Sequence, residues 1–299
     1  MCNVDEVNDA SGQAVDSAFP MDLFGLSLRT QPLWESLSAV AGYELPTKSR
    51  GRFVEVHGAL TQTPRLDSLA RLEPRTEGRP DWLRRLTSKI LDNVQEGVGA
   101  CHYHLETIRA VEGELHSRAR SEVARLELSA TSNFAAAGGN TRRLNYEYQA
   151  FLLATRRTLE YFAGSVAAFF KANDPGLRSL SNSIATSQPP EERERVLRVL
   201  ERNASLIEEL LSQHPRITVR DRVAHWEPVQ AGTFNLICIP DANPPFQLGL
   251  MGGGEELVAF CPVDLDPQLT LSDALGGVLE EIELLIFESY QALGLTIRD

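Results

Sequence analysis

Apolar positions recur at helical spacing through most of this chain. Between Asp81 and about Leu128 they fall at Leu83, Leu86, Ile90 and Val94, then at Leu105, Ile108, Val111 and Leu115. Residues three and four apart share one helix face, so this pattern predicts a long amphipathic region, which Gly97 and Gly99 are expected to divide into two helices. The stripe is longer than a lone surface helix needs, so it is expected to pack on the C-terminal half or on a second subunit. A second pattern starts after Thr141 and carries Tyr148, Leu152, Thr155, Leu159, Phe162, Val166 and Phe169 to about Lys171, where Asn173-Asp-Pro-Gly176 ends it. A short helical turn follows at 177–184. Pro189-Pro190 then opens a helix to about Gln213, with glutamates in its first turn. The last helix spans Leu271–Leu293 and stops at Gly294.

Three stretches have a different texture. Arg52-Phe-Val-Glu-Val-His57 alternates and predicts a strand. Asn133–Asn140 predicts a turn. Thr233–Ile239, Phe246–Met251 and Leu257–Val263 are short and β-rich, and Gly252-Gly-Gly254 predicts a hairpin between the last two. The expected fold is mainly α: an antiparallel helical bundle with a small β-rich insertion at about 233–263 and an N-terminal α/β extension. Its expected organisation is a disordered tail at 1–18, a mixed segment at 19–80, a long helical region at 81–130 and a helical domain at 131–299.

Composition narrows the functional classes. The 299 residues carry a formal charge of −12, which argues against non-specific duplex DNA binding but leaves room for a local basic cleft. Of the 29 basic residues, all but Lys48, Lys89 and Lys171 are arginine. Arginine suits bidentate phosphate contact, although a compositional bias of the coding sequence explains the excess more simply. The four cysteines, Cys2, Cys101, Cys238 and Cys261, form no CxxC pair, which predicts free thiols in a reducing, cytoplasmic setting. No signal peptide is expected from the acidic first twenty residues, and the most apolar segment, 151–170, is broken by Arg156, Arg157 and Glu160.

The candidate chemistry lies in Arg220-Asp221-Arg222-Val223-Ala224-His225-Trp226. Arginine and histidine at this spacing are a weak signal, since Arg52 and His57 share it. With its acidic neighbour and helical surroundings, the segment resembles the signature of the HEPN superfamily of helical nucleases and nucleotide-binding domains, over about 141–294. The resemblance implies a bundle with an antiparallel pair of long helices before the motif and another helix after it, matched here to 141–171, 190–213 and 271–293. It implies a metal-independent endoribonuclease of the bacterial defence or toxin type, a homodimer whose two motifs share one cleft, RNA or a nucleotide as ligand, and a cognate antitoxin as a further partner. It equally implies a non-catalytic nucleotide- or RNA-binding or assembly module.

The residues suit that chemistry on their own terms. Histidine as a residue type titrates near neutrality, which suits His225 to moving the proton of a ribose 2′-hydroxyl. Arg220 offers a charged fork for phosphate oxygens, and Asp221, four residues before His225, can orient the imidazole on a helix. Arg220 lies about 140° round such a helix from His225, at about 100° per residue, so a dimer cleft would let one subunit's arginine serve the other's histidine. Arg222, Arg156 and Arg157 are candidate RNA contacts, and no cofactor or metal is expected. The alternative is structural, with Asp221 ion-paired to an arginine and His225 and Trp226 packed.

Other groupings read as structure. Cys101 and His104 share a helix face while His102 points away, which is too few ligands for zinc. Arg142-Arg143 is a second basic pair. Glu147 is a candidate supporting carboxylate, and Glu280, Glu281, Glu283 and Glu288 are expected on a wet surface.

Overall fold

In a computed structural model the described residues are 42–62, 79–125, 131, 134–137, 142–173, 175–211, 233–238, 240–241, 245–251 and 271–296. The chain divides into two compact units, Met1–Tyr43 and Glu44–Asp299, and the account below concerns the second. It is mainly helical. In order come α1 (Thr47–Gln62), α2 (Arg79–Thr87), a π-helical stretch (Ser88–Val94), α3 (Gln95–Arg125), β1 (Phe134–Ala137), α4 (Arg142–Phe169), α5 (Leu177–Ile184), α6 (Pro190–Arg202), α7 (Ala204–Leu211), β2 (Thr233–Cys238), β3 (Phe246–Met251) and α8 (Leu271–Ala292). No described helix is long and apolar enough to cross a membrane.

The strand expected at 52–57 is helix. Phe53, Val56 and Leu60, spaced i, i+3 and i+7, are buried together while Val54 is 64% exposed, so three helical positions beat a local alternation of two. The helix begins directly after Pro46, whose carbonyl accepts the Arg50 amide at 2.9 Å. The break expected at Gly97 and Gly99 is also absent, because α3 runs through both glycines. A side chain at Gly97 would put its Cβ 2.5 Å from Thr158 Oγ1 and 3.2 Å from Thr158 Cα. The glycine is there because α4 approaches closely.

Contacts in order show how α3 and α4 run. Gly97 meets Thr158, Cys101 meets Thr155 and Thr158, His104 meets Glu147, and Glu114 meets Arg143. The pair is antiparallel. Against it lies α8, which is antiparallel to α3, since its Leu271 meets Glu112 and its Glu283 meets His102. Along α1 it runs parallel, with Ser49 on Glu283 and Phe53 on Phe287. Trp82 of α2 donates its indole N–H to the Ala168 carbonyl at 2.9 Å and so fixes α2 on the end of α4.

Both long helices α4 and α8 stop in the same way. The Ala172 amide reaches back to the Ala167 carbonyl and the Lys171 amide to Ala168, with Lys171 at φ 54°. The Leu295 amide likewise reaches Tyr290, with Gly294 at φ 70°. These are Schellman closures, in which the residue after the cap turns left-handed to satisfy the last carbonyls. The expected helix at 190–213 is divided at Asn203 into α6 and α7, where the Asn203 side chain donates to the Val199 carbonyl.

The apolar core falls into two clusters. One gathers Val98, Leu159, Phe162, Val166, Ile282, Ile286 and Tyr290 with residues of α1, α2, α5 and α6. The other holds Leu105, Ile108, Leu144, Phe151, Leu271, Leu275 and Leu279. The stretch at 134–137, expected as a turn, pairs antiparallel with β2, Phe134 opposite Cys238 and Ala137 opposite Asn235. A partner strand from nearly a hundred residues away overrides its local turn preference. In the described residues β3 pairs with β2, Thr233 opposite Met251; Gly252–Gly254 and 257–263 lie outside them.

The close approach at Gly97 sets a prediction. Gly97→Ala should destabilise the protein by about 1–3 kcal/mol through overpacking against Thr158. Gly113→Ala, exposed in the same helix with open space around its Cα, should instead stabilise it by about 0.5–1 kcal/mol. Denaturant unfolding of the two variants checks the pair; equal effects would remove the close-contact explanation.

Candidate functional site

Arg220, Asp221, Arg222 and His225 lie outside the described residues. Arg156 and Arg157 are on α4, and the structure gives both an intramolecular role. Arg156 pairs with Glu160, whose other oxygen accepts the Leu177 amide at 3.2 Å and so caps the start of α5. The Arg157 guanidinium lies 5.1 Å from the Tyr161 ring centroid and its Nε donates to the Tyr161 hydroxyl. Arg143 pairs with Glu114 at 3.0 Å. Glu147 serves His104, with Oε2 2.8 Å from Nδ1.

A group not singled out as a site lies where the two apolar clusters meet. Glu283, expected on a wet surface, is buried. The Ser49 hydroxyl donates to its two oxygens at 2.8 and 2.9 Å, His102 Nε2 lies 2.5 Å from Oε1, and an Arg52 Nη is 3.6 Å from Oε2. Burial pushes the Glu283 carboxyl up, but the hydrogen bonds from His102 and Ser49 and the positive charge of Arg52 outweigh it and leave it below its ordinary value. Next to it, buried Cys101 contacts the Thr155 and Thr158 hydroxyls at 3.7 and 3.6 Å. Burial pushes its thiol up to about 11, which keeps it protonated and unreactive.

Serine, histidine and a carboxylate invite comparison with a hydrolase triad, and the geometry answers it. A nucleophilic serine gives its proton to histidine, which the carboxylate orients through the opposite ring nitrogen. Here Ser49 donates to Glu283, and His102 presents the same nitrogen to both partners. Ser49 is also only 2% exposed. The group is a polar clamp joining α1, α3 and α8. Among the described residues no three His, Cys, Asp or Glu side chains are placed to hold a metal ion.

Glu112 acts similarly at the start of α8. Its carboxylate accepts the Leu271 and Ser272 amides at 2.9 and 3.2 Å, satisfying donors that no helical carbonyl can reach. Burial pushes this carboxyl up, against the pull of those hydrogen bonds. Both carboxylates were visible as anomalies in the sequence. Glu112 sits four residues after Ile108, and Glu283 four after Leu279 and three before Ile286. Each is an acid on an apolar stripe, where an unpaired charge is too costly to leave.

Among the described residues, accessible polar side chains also line a groove of about 480 Å³ between α6 and α8. Arg195, Arg198 and Arg202 line one side, with Glu288 and Gln291 opposite. Arg202 pairs with Glu288 at 2.5 Å and Arg195 with Glu192 at 3.1 Å. No protein family, curated protein or solved structure was found to match the chain.

The clamp makes stability pH-dependent. Because the folded pKa of Glu283 lies below 4.5, its ionised form stabilises the fold fully above about pH 4.5 and loses that effect as pH falls through the folded value. Glu283→Ala, which strands the Ser49 hydroxyl, the His102 ring and the Arg52 guanidinium, should cost about 3–5 kcal/mol at pH 7. Glu283→Gln should unfold with a flatter stability profile below about pH 4.5 than the parent. Urea midpoints measured from pH 3 to pH 7 decide this, and parallel profiles would show that Glu283 is not the coupled group.

Proposed function

We propose that the protein is a metal-independent endoribonuclease of the bacterial defence or toxin type, acting as a homodimer with a composite Arg/His site. His225 moves the proton of the attacking 2′-hydroxyl, Arg220 of either subunit clamps the scissile phosphate, and Asp221 orients the imidazole. The observation that carries this reading is the motif's chain position, with the antiparallel pair α3–α4 before it and α8 after it. The long antiparallel partner of α4 is α3 and not the 190–213 segment, which corrects the helix pairing that the resemblance implied. Arg156 and Arg157 are engaged by Glu160 and Tyr161, as Arg195 and Arg202 are by Glu192 and Glu288, so each would have to exchange an internal partner for phosphate.

A non-catalytic RNA- or nucleotide-binding module is the second reading. This reading draws on the arginine-lined groove between α6 and α8, whose guanidinium groups offer an anion a site without any catalytic group. An antitoxin partner belongs to the first reading only.

Incubation of the purified protein with end-labelled single-stranded RNA separates them. The nuclease should cut in EDTA and leave 2′,3′-cyclic phosphate ends. His225→Ala should abolish cutting with the thermal transition nearly unchanged, and Arg220→Lys should impair it strongly by losing the two-pronged geometry. Retention of RNA without cutting selects the binding module. Loss of the fold in His225→Ala, with wild type inert toward RNA, makes the motif structural.

A further inference from the structure

The three groove arginines fall on one face of α6 at i, i+3 and i+7. At 1.5 Å rise per residue their attachment points lie about 4.5 and 6 Å apart along the axis. They are not equally committed. Arg202 faces Glu288 across the groove, and Arg195 holds Glu192 while its buried Nε has no hydrogen-bond partner among the described residues. Arg198, between them, is exposed and takes part in none of the hydrogen bonds or ion pairs found among the described residues. Two of the three guanidinium groups are ion-paired, to Glu192 and Glu288, which leaves Arg198 as the uncompensated charge among the described groove residues, on a chain whose net charge is −12.

We infer that this groove binds the phosphodiester backbone of single-stranded RNA, with Arg198 as the primary phosphate contact and Arg195 and Arg202 flanking it. The inference rests on the RNA reading above and names the surface that would hold the substrate. Charges strung over two helical turns match a run of phosphates better than one terminal phosphate. Guanidinium groups suit it through bidentate contact with phosphate oxygens. The groove walls and the acidic remainder of the surface concentrate the field there and discourage the backbone from binding elsewhere. Val199 and Ala292 supply an apolar floor on which ribose or a base edge can rest.

The test uses the full chain and a 2′-O-methyl RNA oligomer, whose blocked hydroxyl prevents cutting and leaves binding as the only readout. Fluorescence anisotropy across a salt series should give Arg198→Glu an affinity weaker by about tenfold or more, with the salt slope reduced by about one. Arg198→Ala should show a smaller loss in the same direction, and Arg178→Glu, outside the groove, should bind like wild type. Circular dichroism confirms that the variants fold, as an exposed position allows.

Unchanged binding and slope in Arg198→Glu overturn the inference, as does failure of wild type to retain the oligomer at low salt. Displacement by inorganic phosphate as readily, per phosphate, as by RNA also overturns it in favour of a single-anion site. Cutting of unmodified RNA is scored separately. If Arg198→Glu loses binding and wild type never cuts, the groove stands and the nuclease reading falls. If wild type cuts and Arg198→Glu binds normally, only the groove falls.

Discussion

The placement of α8 is the constraint on which the rest depends. It lies against α3, α4, α6 and α1, and its apolar face supplies both core clusters, Leu271, Leu275 and Leu279 to one and Ile282, Ile286 and Tyr290 to the other. Apolar burial alone does not choose a register, because a slide by one turn still buries leucines. Two carboxylates do choose it. Glu112 of α3 must meet the first amides of α8, and Glu283 of α8 must meet Ser49 and His102. A shifted helix would leave buried charge without donors, which costs more than the displaced leucines regain.

The same logic explains the polar layer between the clusters. Cys101, Thr155 and Thr158 share it with Glu283, and Ser165 and Tyr290 bond each other nearby at 2.9 Å. These groups satisfy one another within the protein, which is why the layer is tolerated and why it has no free acid, base or nucleophile to offer. Of the surfaces described, the α6–α8 groove is built by the helix that α8 positions, so its arginines inherit their spacing from α6 and their opposing wall, Glu288 and Gln291, from the register of α8.

Helical periodicity made the mainly helical character and the long helices readable in advance. The stripe from Leu105 to Leu115, the span from Tyr148 to Phe169 and the acidic-amphipathic C-terminal segment are helices within a few residues of their expected bounds. What was not readable depended on distant neighbours. Val54 and Val56 suit a strand as Phe53 and Val56 suit a helix, until α8 provides Phe287 as a partner for Phe53. Gly97 reads as a breaker unless Thr158 is known to press against it. Ala135–Ala137 has no strand character without β2. The clamp was half visible, since Glu283 interrupts an apolar stripe, but nothing local pointed to Ser49, which precedes it by more than two hundred residues. The motif at 220–226 is legible only as sequence, because it lies outside the described residues.

If α8 takes its register from α3, then the region before residue 130 and the region after it form one folding unit. Expressing 130–299 alone tests this most directly. Without α3 and α1 the fragment lacks both Glu112 and the partners of Glu283, and it exposes the faces of α4 and α8 that α3 covers. It should aggregate, or unfold without a cooperative thermal transition and with rapid amide exchange along 275–290. A monomeric fragment with a cooperative transition and full-length protection of those amides would contradict the account.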